Sequence, residues 1–130
     1  MKKMLFFILL CSPVFLKAQT ADSVKTEKKF EPIQLFFVML KKGPNRGQDS
    51  ATAEKIQEGH MANITRLSKE EKLLVAGPFM DDTDWRGIFI LKCKDQKECE
   101  ALMQTDPAIA SGRLVAEIHP WMTGKNCVFK

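Results

Sequence analysis

The side chains best suited to proton chemistry in this 130-residue chain are one histidine, His60, and one aspartate, Asp106. His60 lies in the run Ala53, Ile56, Ile64 and Leu67, one helical turn from Ile56 and one from Ile64. Histidine is the side chain most often used for proton transfer near neutral pH, so a positioned imidazole there can act as a general base or acid. On the same stripe it can also be a packed, hydrogen-bonded side chain with no chemistry. Asp106 precedes Pro107, a pairing common in turns. Its position after a second helical segment gives it a further use. A carboxylate brought against His60 would accept a hydrogen bond from the ring, fix the tautomer and stabilise the imidazolium.

Other residues are candidates of a plainer kind. Arg86, beside Gly87, can hold an anionic substrate group or be a solvated loop arginine. Phe79 and Trp121 can wall an aromatic pocket or serve as ordinary core or interface contacts. His119 alternates with Glu117 and Trp121, but ligand positions this scattered form no metal signature. KGPNRG (Lys42 to Gly47) has too few glycines for a phosphate loop. No metal and no organic cofactor is therefore expected. Cys93, Cys99 and Cys127 lack Cys-x-x-Cys spacing and permit one internal bridge at most, by three possible pairings. Buried free thiols are the other reading.

The elements that must position these residues follow from local signals. Gln34 to Lys41 (QLFFVMLK) is rich in strand formers and apolar at successive positions. Lys42 to Gly47 is a turn by its Gly, Pro and Asn content. Asp49 or Ser50 caps a helix that runs to about Lys69. Leu73 to Ala76 is a short strand, stopped by Gly77-Pro78, and Gly87 to Cys93 is another. Asp95 caps a second helix, with Glu98 as its capping-box partner. That helix ends near Thr105, because Pro107 biases Asp106 away from helical geometry. Leu114 to Met122 is the last strand, and Pro120 suggests an edge or a strand end.

Strand, helix, strand, strand, helix, strand is the order of the α+β ferredoxin-like βαββαβ arrangement, a four-stranded antiparallel sheet with two helices on one face. The strands are apolar on both sides. The uncovered face then implies a partner surface, most simply a second copy packed sheet to sheet as a homodimer.

Met1 to Ala18 carries two early lysines, an apolar run from Met4 to Leu10, then Ser12, Pro13 and Ala18. This is the layout of a secretory signal peptide cut after Ala18. Cys11 raises a lipoprotein alternative, although Leu10 stands where a small residue normally precedes the modified cysteine. The expected organisation is a signal peptide over 1–18, a polar leader over 19–33, one domain over 34–123 and a tail over 124–130. The expected location is exported, periplasmic or extracellular, with no membrane attachment after cleavage. The formal charge of +4 comes from 20 basic and 16 acidic residues. Lys2, Lys3 and Lys17 lie in the removable segment, so the mature chain is close to neutral. No nucleic-acid partner is expected.

Taken in order, GHMANI (Gly59 to Ile64), LLVAGPF (Leu73 to Phe79), RGIFI (Arg86 to Ile90), TDPAIASGRL (Thr105 to Leu114) and EIHPW (Glu117 to Trp121) are distinctive. Over about residues 34 to 122 the chain resembles the YCII family, also called YciI-like proteins. The resemblance implies a ferredoxin-like fold, a dimeric α+β barrel and a His–Asp pair proposed as a catalytic centre, here His60 and Asp106. One departure is Glu71, where the family usually has glycine between first helix and second strand. One branch of the family contains a dehydrochlorinase of a chlorinated hydroxyhydroquinone; related dimeric barrels include lactone isomerases and monooxygenases. The expectation is thus an exported, metal-free acid–base enzyme, lyase- or isomerase-like, acting on a small phenolic or lactone-like molecule. The alternatives are a non-catalytic small-ligand-binding or interaction module on the same dimeric fold, and a purely structural secreted dimer.

Overall fold

The computed structural model describes residues 29–125, so the expected signal peptide, most of the leader and Cys127 lie outside the described residues. The elements run β1 (Pro32–Lys42), α1 (Ser50–Lys69), β2 (Leu73–Pro78), β3 (Trp85–Leu91), α2 (Gln96–Gln104), α3 (Pro107–Ala110) and β4 (Leu114–Gly124). The four strands form one antiparallel sheet in the order β2-β3-β1-β4. This is the ferredoxin-like α+β arrangement expected from the order of elements. Pro78 and Pro120 both fall on the two edge strands, where a missing backbone donor costs no ladder bond on the open side.

Strand period 2 divides β1 between two faces. Phe36, Val38 and Leu40 point to the helices and are buried with Phe89 and Leu91 of β3. Leu67 of α1, Cys99 and Met103 of α2 and Ile109 of α3 close the same core, so all three helices cover one face. Leu35, Phe37 and Met39 take the other face, opposite Trp121, His119 and Glu117 of β4. Cys93 and Cys99 are buried free thiols in this core. Burial raises the pKa of both, and pushes Cys99 up to about 12.

The helix starts are built as the local signals predict. Asp49 Oδ1 accepts from Thr52 N at 2.8 Å, and Asp95 Oδ1 accepts from Glu98 N at 2.8 Å. Glu98 reaches back to Lys94 N at 2.7 Å, one residue before the position a strict capping box uses. The exit from α1 is a Schellman turn: Lys72 N donates to Leu67 O and Glu71 N to Ser68 O, each at 3.0 Å. Its left-handed position is Glu71, at φ 56°.

Two features differ from expectation. The strands β1, β2 and β4 run beyond their predicted ends, β2 through the Gly77-Pro78 pair that was expected to stop it, and β3 both begins and ends two residues earlier, at Trp85 and Leu91. The larger difference is α3. Pro107 was expected only as a stop, yet it opens a further helix, with Asp106 as the N-cap. Proline suits the first helical position because its missing N–H has no intrahelical partner there.

Candidate active site

His60 and Asp106 meet. His60 Nδ1 lies 2.7 Å from Asp106 Oδ2. The Asp106 side chain is fully buried, and that of His60 is 12% exposed. Local chemistry holds the carboxylate from two sides. Its Oδ1 accepts from Ala108 N at 2.9 Å, which is the N-cap bond of α3. Its Oδ2 also takes a bond from Asn63 Nδ2 at 3.3 Å. A carboxylate only accepts, so the proton between the pair sits on His60 Nδ1 and leaves Nε2 as the ring's second nitrogen. The ring stacks on Phe89, with centroids 6.0 Å apart and planes at 20°.

Asn63 was not singled out from the sequence. It occupies the buried stripe of α1, one turn after His60, and a polar residue at such a position is the signal that would have found it. Arg66 Nη2 donates to Asn63 Oδ1 at 2.7 Å. Arginine has no acceptor, so this bond turns the Asn63 amide with its NH₂ toward Asp106. Thr105 Oγ1 accepts from Arg66 Nη2 at 2.8 Å and donates to Leu102 O at 2.6 Å. Gly59 completes the support. A Cβ at Gly59 would stand 2.8 Å from Pro107 Cγ, so glycine lets α1 approach α3 closely where His60 must reach Asp106.

A cavity of about 430 Å³ opens beside His60. Ile64, Leu40, Phe89, Ala76, Pro78 and Leu114 give it apolar walls, and Gln57, Arg46, Arg86 and Arg113 add polar groups. Arg86 is therefore part of the cavity lining. It sits where the β1–β3 register shifts, between Gly87 opposite Leu40 and Trp85 opposite Lys41. Such a bulge re-aims a side chain that regular alternation would place on the other face. Gly87 is required there, because a Cβ would meet Gly77 O at 2.6 Å. Arg86 Nη1 also contacts Asp82 Oδ1 at 3.2 Å.

Phe79 and Trp121 stand elsewhere. Phe79 packs on Trp85, centroids 6.1 Å apart, outside the cavity lining. Trp121 is opposite Leu35 on the sheet face away from the helices, because it shares the parity of Glu117 and His119. His119 bonds Glu117 at 3.0 Å on that face, so neither residue joins His60. Among the described residues, no group of three or more His, Cys, Asp or Glu side chains is arranged to hold a metal ion.

Arg46 and Arg113 are the functional candidates that sequence reading passed over. The Lys42 to Gly47 turn is bonded to the α3–β4 turn by Gly43 N to Arg113 O at 2.9 Å and Asn45 N to Gly112 O at 3.1 Å. Those bonds bring Arg46 to Arg113, and Arg46 Nη1 donates to Arg113 O at 3.2 Å. No local pattern in either turn marks this.

The model of the YCII-related domain matches residues 35–122, which span every strand and helix around this site. The chain belongs to the YCII-related family. Among curated relatives, this YCII-related protein is similar to the uncharacterized protein YjpA of Bacillus subtilis (strain 168), 31% identical over 67 residues. That match covers 52% of this chain and 76% of YjpA. Among solved structures it is similar to the 5-chloro-2-hydroxyhydroquinone dehydrochlorinase TftG of Burkholderia phenoliruptrix AC1100, solved with 2,5-dihydroxybenzoquinone. The TM-score is 0.52 at 23% identity, over 71% of this chain and 97% of TftG. At that identity the likeness bears on the fold.

Proposed function

We propose that this YCII-related protein is an acid–base enzyme for a small ring compound of phenolic or lactone-like type, with His60 as the proton-transfer group. The observation that carries this reading is the place of His60 between a buried carboxylate and an open cavity. Nδ1 is committed to Asp106, so Nε2 is the nitrogen left to take a proton from a ligand O–H or acidic C–H and return it elsewhere. Asp106 is a positioning residue: it holds the tautomer and offsets the charge of the imidazolium while the proton is in transit. Phe89 fixes the plane of the ring. Such general catalysis contributes ~10²–10⁴-fold, so binding contacts in the cavity must supply the remaining acceleration. The cavity falls within the range of ordinary small-molecule sites, ~300–1,000 Å³.

A dehydrochlorinase of the same fold, bound to a dihydroxybenzoquinone, makes hydroxylated quinones and quinols the first compounds to try. The test is solvent exchange. Hydroxyquinols, hydroxyquinones and small lactones are incubated in D₂O with the protein, and NMR follows loss of ring C–H signal and any new product. Protein-dependent exchange that His60→Gln removes supports the reading. Binding without exchange across the panel favours the non-catalytic ligand-binding alternative.

Two further parts of the reading rest on sequence. The apolar outer sheet face, with Phe37, Met39 and Ile88 half-buried and Val115 and Trp121 exposed, is proposed to pair with a second copy. Light scattering at micromolar concentration reads this directly. Export is proposed from Met1 to Ala18, and N-terminal sequencing of the mature protein checks it. No described helix is long and apolar enough to cross a membrane.

A further inference from the structure

The charged side chains around the cavity are all of one sign. Arg46, Arg86 and Arg113 line it with His60, and no aspartate or glutamate does so among the described residues. The three guanidiniums are not equally neutralised. Arg86 has Asp82 at 3.2 Å, although Asp82 is 91% exposed, and an ion pair in that setting is heavily screened. Among the described residues Arg113 has a neutral partner only, donating from Nη1 to Gln48 Oε1 at 2.8 Å. Arg46 has only the Arg113 carbonyl and makes no ion pair among the described residues.

Two turns far apart in sequence are joined by backbone bonds so that these two arginines stand at one cavity. The joint is tight: a Cβ on Gly43 would lie 2.1 Å from Gly112 O, and Gly112 itself has φ +71°. Arg46 is exposed and Arg113 half-buried, and with no acid on the lining they leave the cavity positive in the empty protein. An anion supplied by the ligand meets that field, which the apolar walls strengthen. A guanidinium also matches a carboxylate with two parallel N–H donors.

We infer that the ligand is a small cyclic organic acid, its carboxylate held by Arg46 and Arg113 while the ring lies among Leu40, Ile64 and Phe89 within reach of His60. This specifies the substrate class of the proposed site and rests on the reading of that cavity as the ligand site. It makes Arg46 and Arg113 binding residues, and gives Arg86 a lesser share because Asp82 competes for it.

The experiment compares gentisate, a dihydroxybenzoate, with its uncharged methyl ester. Binding is measured by calorimetry and by NMR for the unaltered protein and for Arg46→Gln, Arg113→Gln, Arg113→Lys and His60→Gln. Gentisate should bind at least ~10-fold tighter than the ester. Arg46→Gln and Arg113→Gln should each remove about that factor for gentisate and leave the ester unchanged. Arg113→Lys should recover part of the loss, and raising salt from ~20 to ~500 mM should weaken gentisate alone. Backbone amide spectra establish that each variant is folded. His60→Gln should keep the preference for gentisate. An ester that binds as well as the acid, or a preference untouched by both Gln variants, overturns the inference. Gentisate binding that depends on the arginines, with no exchange activity on any compound, upholds the inference and removes the acid–base reading. Exchange that depends on His60 but ignores ligand charge does the reverse.

Discussion

His60 and Asp106, 46 residues apart, share a 2.7 Å contact in which the same carboxylate also caps a helix. One oxygen faces the imidazole and the other faces Ala108 N, so the group that orients the histidine also starts α3. Asp106→Asn keeps the shape but leaves one side-chain acceptor for three donors. If the amide oxygen stays on Ala108 N, its NH₂ faces His60 and drives the ring proton to Nε2. The expected result is a switch of neutral tautomer, read from ¹⁵N shifts of the imidazole, with ~10²–10⁴-fold loss of any exchange activity. The buried donors left without a partner should cost about 1–3 kcal/mol, measured by urea unfolding.

Gly59→Ala sets two effects against each other. Alanine is the better helix former by about 1 kcal/mol. Its Cβ, however, would meet Pro107 Cγ at 2.8 Å, and a proline ring at the start of α3 cannot swing aside. Overpacking of this kind costs about 1–3 kcal/mol. Net destabilisation of about 1 kcal/mol is expected, together with a shifted His60 resonance as α3 moves away. A stabilised variant with His60 unmoved would show that the α1–α3 approach has slack.

Glu71→Gly is expected to stabilise. Glu71 holds the left-handed position of the Schellman turn after α1, where a Cβ costs roughly 1–2 kcal/mol. Glycine's greater freedom in the unfolded chain takes back part of this. A gain of about 1 kcal/mol in urea unfolding is the expected outcome, with no effect on ligand binding.

The acid limb of stability should involve Glu98. Its carboxylate takes bonds from Lys72 Nζ at 2.6 Å and Lys94 N at 2.7 Å, and these, the Lys72 bond foremost, hold its pKa below the ordinary 4.5. A lowered folded-state pKa means stability present above pH 4.5 and lost as pH falls through the folded value. Glu98→Gln should therefore be less stable than the unaltered protein at neutral pH, with the gap closing as the pH falls below 4.5. Urea midpoints across that range decide it; a constant gap excludes the pair as the source.

Much of this architecture is legible in the sequence because its signals are local. Asp49 and Asp95 with Glu98 act within a few residues of themselves, and the strand-helix order leaves few topologies to consider; Gly77-Pro78 misleads, because β3 pairs with both residues and carries β2 through them. His60 is legible for the same reason, since helical spacing alone puts it on the inward stripe of α1. The helix α3 is not, because one proline carries two meanings. It forbids helical geometry at Asp106 and it favours a helix from Pro107 onward; which matters depends on whether Asp106 finds Ala108 N to cap. The placement of Trp121 was likewise decided by register, because its parity with Glu117 and His119 puts it on the outer face. Arg46 and Arg113 lie 67 residues apart in turns with no helical or strand period to relate them. Only the folded chain joins them, through backbone bonds between two turns, and the charge of the cavity follows from that joint.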